Sequence, residues 1–203
     1  LYWRPEHAAA FTRIKEALLN AVTLSHPDPT QLLCLFTDAS DMYWSAVLTQ
    51  VPPEDRGKPI RQQRHQPLSF LSGAFTGSSG RWSTSEKEAY AIIPAVSRLD
   101  YLLLRAQGFL LFTDHRNLVF IFDPRASPTR LQKHVASKVE RWAMTLANFK
   151  YTTMHIDRED NVWADLLSRW GKPQARQPRS PTHYVLSTLF REPVAPSLDP
   201  SLD

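Results

Sequence analysis

The tetrapeptide Leu-Phe-Thr-Asp occurs twice in the chain, at residues 35–38 and again at 111–114. Each copy is a run of strand-forming residues that ends abruptly in a carboxylate. Laid side by side and parallel, two such strands bring Asp38 and Asp114 to the same edge of a sheet. Carboxylates held that close repel and raise each other's pKa unless a positive charge sits between them. A divalent metal meets that need, which points to metal-dependent chemistry on phosphates. Taken singly, either aspartate also reads as a turn or helix-capping residue, common after strands.

The surrounding pattern supports an α/β chain. Phe11, Ile14, Leu18 and Ala21 recur at helical spacing in a helix expected over residues 1–24, before Pro27, Asp28 and Pro29 break it. Residues 31–37 are apolar on both faces, as in a central buried strand. Further strands are expected over 42–50, 66–71, 109–113 and 150–156. Ser83, Thr84 or Ser85 can cap a long helix running to about Arg105, with a kink at Pro94. A second long helix spans 130–147 and a short one 161–169. The order β-β-β-α-β-α-β-α gives a mixed sheet with helices on its faces.

Three regions follow: a helical lead-in over 1–27, the α/β domain over 28–171 and a Pro-rich flexible tail or linker over 172–203. The first residue is Leu rather than Met, which fits a piece of a longer protein. No apolar run approaches the roughly 20 residues of a membrane span. Cys34 is the only cysteine and reads as a buried, inert thiol, so no internal disulfide or cysteine-based zinc site can form. The net charge of +4 is compatible with a polyanionic partner.

Two more carboxylates belong with the aspartates. On the helix after Ser85, the stripe Ala89, Ile92, Val96, Leu99 and Leu103 faces the sheet. Glu88 lies roughly 60° from the stripe's centre and Glu86 roughly 100°. Glu88 is therefore the site candidate, and Glu86 a solvent or first-turn charge. Asp165 lies one turn into the last helix, which Asn161 can cap and whose dipole favours an ionised carboxylate. Asp38, Glu88, Asp114 and Asp165 together supply hard oxygen ligands suited to two Mg²⁺ ions.

In this order, the segments Thr37-Asp38-Ala39-Ser40, Glu86-Lys87-Glu88-Ala89, Thr113-Asp114-His115 and Ala164-Asp165-Leu166-Leu167-Ser168-Arg169 resemble the ribonuclease H domain of Ty3/gypsy-type LTR-retrotransposon reverse transcriptases. Arg141-Trp142 and Phe149 fit the same pattern. The resemblance implies an RNase H-like fold with a five-stranded mixed sheet in the order 3-2-1-4-5. It implies metal-dependent endonucleolytic cleavage of the RNA strand of RNA–DNA hybrids. Asp38, Glu88, Asp114 and Asp165 would be the catalytic carboxylates, holding two Mg²⁺ or Mn²⁺ ions. His155, ten residues before Asp165, would assist proton transfer or product release; otherwise it is a structural strand-end histidine. Implied partners are the hybrid and the polymerase and integrase domains of a parent polyprotein, with no membrane and an intracellular location.

Three positions depart from that pattern. Arg158 stands where Gly is usual, Gly is common near Ser45, and Pro94 interrupts a helix. An arginine in a turn needing positive φ would cost about 1–2 kcal/mol. These departures suit a decayed copy, so an inactive or domesticated nucleic-acid-binding remnant is the competing expectation. An integrase of the same fold is the third. Arg130, His134, Lys138 and Arg141 form a basic ridge that reads either as a phosphate contact or as a solvated helix face. The loop carrying Arg56, Lys58, Arg61 and Arg64 reads the same two ways.

Overall fold

The computed structural model describes residues 4–19, 21–122 and 133–169. Its centre is a five-stranded sheet in the order β3-β2-β1-β4-β5. The strands are β1 (Leu32–Ala39), β2 (Tyr43–Val51), β3 (Gln66–Ala74), β4 (Phe109–Thr113) and β5 (Tyr151–His155). The first three form an antiparallel meander, and β4 and β5 run parallel to β1. The order and mixed character are those expected. β1 and β4 are buried along almost their whole length because helices cover both faces.

One face packs against α2 (Thr84–Arg98), α3 (Asp100–Leu103) and α5 (Lys133–Leu146) through Leu33, Leu35, Leu48, Ile92, Val96, Leu111 and Leu146. The other carries Cys34, Phe36, Val47, Leu110 and Phe112, covered by Trp163 and Ala164 of α6 (Val162–Arg169). Phe36 stacks on Phe112 at 4.7 Å and meets the Trp163 ring edge-on. Cys34 is fully buried in this layer, and desolvation pushes its thiol up to about 12. Entry to β4 needs glycine: Gly108 has φ +74°, and a Cβ there would lie 2.2 Å from the Lys150 carbonyl oxygen.

Several local expectations are corrected. The first helix, α1, is Pro5–Leu19, which leaves Ala21 outside it, and Phe11 is half exposed. The long helix does not run unbroken to Arg105. It passes through Pro94, ends at Arg98 and breaks at Leu99 before α3 begins. A proline costs the helix one hydrogen bond, which a buried face offsets. Arg158 is unstrained, since no described non-glycine residue has positive φ; it opens a short 3₁₀ turn over Arg158–Asp160. A further short helix, α4 (Arg116–Ile121), was not anticipated. The tail over 172–203 lies outside the described residues.

Candidate active site

The register explains why the repeated tetrapeptide matters. Phe36 pairs with Phe112 across the parallel β1–β4 ladder, so Asp38 and Asp114 each stand two residues beyond the same rung. Side chains alternate along a strand, so both aspartates leave the sheet on the side of Phe36 and Phe112. The third carboxylate comes from α2. Ser83 caps this helix in a reciprocal box: its hydroxyl accepts from the Glu86 N–H, and the Glu86 carboxylate accepts from the Ser83 N–H at 2.9 Å. That cap sets the start of α2 at the carboxyl edge of the sheet and places Glu88 over the end of β1. Asp38, Glu88 and Asp114 each offer an oxygen, and these atoms all lie within 4.8 Å of one another.

The cluster lines an open pocket of about 290 Å³, together with Ser40, Lys87, His115, Arg158 and Arg169. Burial pushes the Glu88 carboxyl up to about 9, helped by the charges of Asp38 and Asp114 and opposed by the Ala39 N–H. Its Oε2 is buried and has no hydrogen-bond partner among the described residues. Burial likewise raises Asp38, against a hydrogen bond that the Ser168 hydroxyl donates to its Oδ2. Three converging carboxylates with an unsatisfied inward oxygen are a donor set that fits a divalent cation.

Asp165 is not in that group. Its Oδ1 accepts from Arg169 Nε at 2.7 Å and lies 3.5 Å from Arg158 Nη2. It stands near enough to Asp38 to add to the charge acting on it. α6 is fixed against the sheet by three buried side chains. Ser45 donates to the Ala164 carbonyl at 2.6 Å, Ser40 to the Ser168 carbonyl at 2.6 Å, and Asn161 Nδ2 to the Thr37 carbonyl at 3.0 Å. Asn161 therefore ties α6 to β1 with its amide rather than capping the helix. Ser45, near a position where the resembled pattern commonly has Gly, adds a hydrogen bond.

His155 ends β5 opposite Thr113, on the same sheet edge as Asp114 but outside the carboxylate group. His115 Nε2 is 3.0 Å from the Ser85 hydroxyl, the local hydrogen bonding expected of it. Glu86 is not a solvent charge: it is buried and pairs with Lys138 Nζ at 2.9 Å. Lys138, also over the Trp82 ring, is thus taken out of the proposed basic ridge. Arg141 is exposed, Arg130 lies outside the described residues, and the His134 side chain is not described.

The basic loop is also largely committed. Lys58 and Arg64 hold the buried Asp55, and Arg61 Nε meets Asp160 at 2.7 Å. Sequence reasoning missed Ser168, Arg158 and Arg169 as partners of the carboxylates. Ser168 and Arg169 stood inside the quoted motif, but their partners come from β1 and from the first turn of α6.

The family-model match agrees with the fold. Residues 28–149 match the family model for the RNase H-like domain found in reverse transcriptase. The chain is 32% identical over 168 residues to the retrovirus-related Pol polyprotein from transposon 412 of Drosophila melanogaster, covering 82% of this chain and 12% of that one. It is 29% identical over 168 residues to the transposon Tf2-3 polyprotein of Schizosaccharomyces pombe, again covering 82% and 12%. The chain thus spans about an eighth of these relatives. Among solved structures, LC11-RNase H1 isolated from compost aligns with a TM-score of 0.49 at 15% identity, covering 69% of this chain and 93% of that one. The match over residues 28–149, more than half of the chain, shows that it belongs to the family of RNase H-like domains found in reverse transcriptases.

Proposed function

We propose that this chain hydrolyses the RNA strand of RNA–DNA hybrids, using divalent cations held by Asp38, Glu88 and Asp114 and by Asp165 at the pocket's edge. The observation that carries this reading is the convergence of three carboxylate oxygens within 4.8 Å at the carboxyl edge of the sheet in a member of this family. A bound divalent cation supplies an activated nucleophilic water and offsets charge in the phosphoryl transition state. Ser168 fixes the orientation of Asp38, and the Ala39 N–H holds Glu88. Arg169 holds Asp165 in place through an ion pair at 2.7 Å. His155, on the same edge, is assigned proton delivery to the departing oxygen.

Mg²⁺, with Mn²⁺ as a substitute, and a count of two cations belong to this proposal. So do the polymerase and integrase domains of a parent polyprotein, an intracellular setting, and the lead-in role of residues 1–27. Among the described residues no helix is long and apolar enough to cross a membrane. The competing reading, a non-catalytic remnant, has less support, because each of the four carboxylates is retained and three converge.

The test is a panel of end-labelled duplexes incubated with the 203-residue chain. Cutting confined to the RNA strand of the hybrid, present in Mg²⁺ and absent in EDTA, is the expected result. Equal cutting of double-stranded DNA, joining of DNA ends, or EDTA-resistant cutting would refute it.

A further inference from the structure

We propose that Arg158 is a phosphate-binding residue of this chain, gripping the backbone of the nucleic-acid strand that enters the carboxylate pocket. The inference rests on the hydrolytic reading above and extends it to a residue where the resembled pattern has Gly.

Position comes first. Arg158 begins the 3₁₀ turn between β5 and α6 and lines the same pocket as Asp38, Glu88 and Asp114. The turn is anchored from below. Arg61 Nε donates to Asp160 Oδ1 at 2.7 Å, and Arg61 Nη2 donates to the Glu159 carbonyl at 3.2 Å. The backbone that carries Arg158 is therefore held, while its side chain is 66% exposed at the pocket rim.

Its present contact is a weak one. Nη2 lies 3.5 Å from Asp165 Oδ1, an oxygen that Arg169 already engages at 2.7 Å. An exposed pair at that distance adds little. Asp165 has its counter-charge without Arg158, so the guanidinium is surplus there. A pocket walled by carboxylates repels a phosphodiester backbone, and a cation at its rim offsets that repulsion. A guanidinium also matches two phosphate oxygens at once, which an ammonium cannot do. The other basic side chains near this end are committed: Lys87 to the Asp41 carbonyl, Lys138 to Glu86, and Arg61 to Asp160.

The experiment is binding of a fluorescent RNA–DNA hybrid to the 203-residue chain in EDTA, followed by anisotropy across a salt series. Arg158→Ala should bind about tenfold more weakly at low salt. Its log–log salt slope should be shallower by about one, the signature of one lost phosphate contact. Arg158→Lys should recover the slope and only part of the affinity. Unchanged affinity and slope in Arg158→Ala, with the wild-type chain still cutting hybrid, overturns this proposal alone. A rise in Mg²⁺ affinity by calorimetry without any change in hybrid binding also overturns it, since Arg158 would then be only a counter-ion of Asp165. A folded wild-type chain that does not bind the hybrid at all overturns both this proposal and the function it rests on.

Discussion

Glu88 carries the sharpest electrostatic conflict in the metal-free molecule. It is 5% exposed, beside two other carboxylates, with one oxygen that has no hydrogen-bond partner among the described residues. Its folded pKa of about 9 lies above the ordinary value of 4.5, so the native state holds a proton that the unfolded chain releases. Stability from this group is therefore complete below about pH 4.5 and lost as pH rises toward 9. In EDTA the wild-type chain should lose about 2 kcal/mol between pH 6.5 and 8, and Glu88→Gln should lose distinctly less. Saturating Mg²⁺ should flatten the wild-type profile, because the cation takes the proton's place. Urea unfolding at each pH reads all three, and a wild-type profile that is flat in EDTA would contradict the buried-acid description. Helical periodicity was enough to choose Glu88 over Glu86 from sequence. It did not reveal that Glu86 is buried, because its partner Lys138 stands 52 residues away on another helix.

At the scale of elements, the site depends on how α6 is seated. Ser40, Ser45 and Asn161 each donate to a buried or inward backbone carbonyl, which fixes Ser168 against Asp38 and Asp165 at the pocket's edge. Asn161→Ala leaves the Thr37 carbonyl unpaired and should cost about 1–3 kcal/mol in urea unfolding. It should also reduce cleavage, since Asp165 and Ser168 ride on the same helix. Stability equal to wild type would show that α6 is seated by the Ser40 and Ser45 hydrogen bonds and by Trp163 and Ala164 packing, without help from Asn161. The strands were legible because apolar runs between turn residues leave few alternatives. The helix ends were not. α2 stops at Arg98 rather than near Arg105, where a local break at Leu99 splits a continuous apolar stripe. The expected strain at Arg158 failed for a similar reason, since the turn there is 3₁₀ and needs no positive φ.

For the whole molecule, net charge was the least informative guide. The +4 excess suggests a basic surface, yet Lys58, Arg61, Arg64 and Lys138 are held in ion pairs within the fold. Pair partners depend on tertiary contacts, so no reading of composition could assign them. The repeated Leu-Phe-Thr-Asp was the reverse case. Two identical strand ends imply equivalent placement only if the strands are parallel and adjacent, and the sheet order makes them so. Three of the four carboxylates chosen from sequence converge; the fourth is close by, held by Arg169.

The central claim is that this convergence is a metal-dependent hydrolytic centre, and the most direct test is the hybrid-cleavage rate in Mg²⁺ for wild type against Asp114→Asn. Circular dichroism should confirm that both chains are folded. The account predicts metal-dependent cutting of the RNA strand by the wild type and a loss of roughly 10³-fold or more in the variant, equivalent to several kcal/mol of transition-state stabilisation. Cutting by folded Asp114→Asn at a rate near that of the wild type would contradict it.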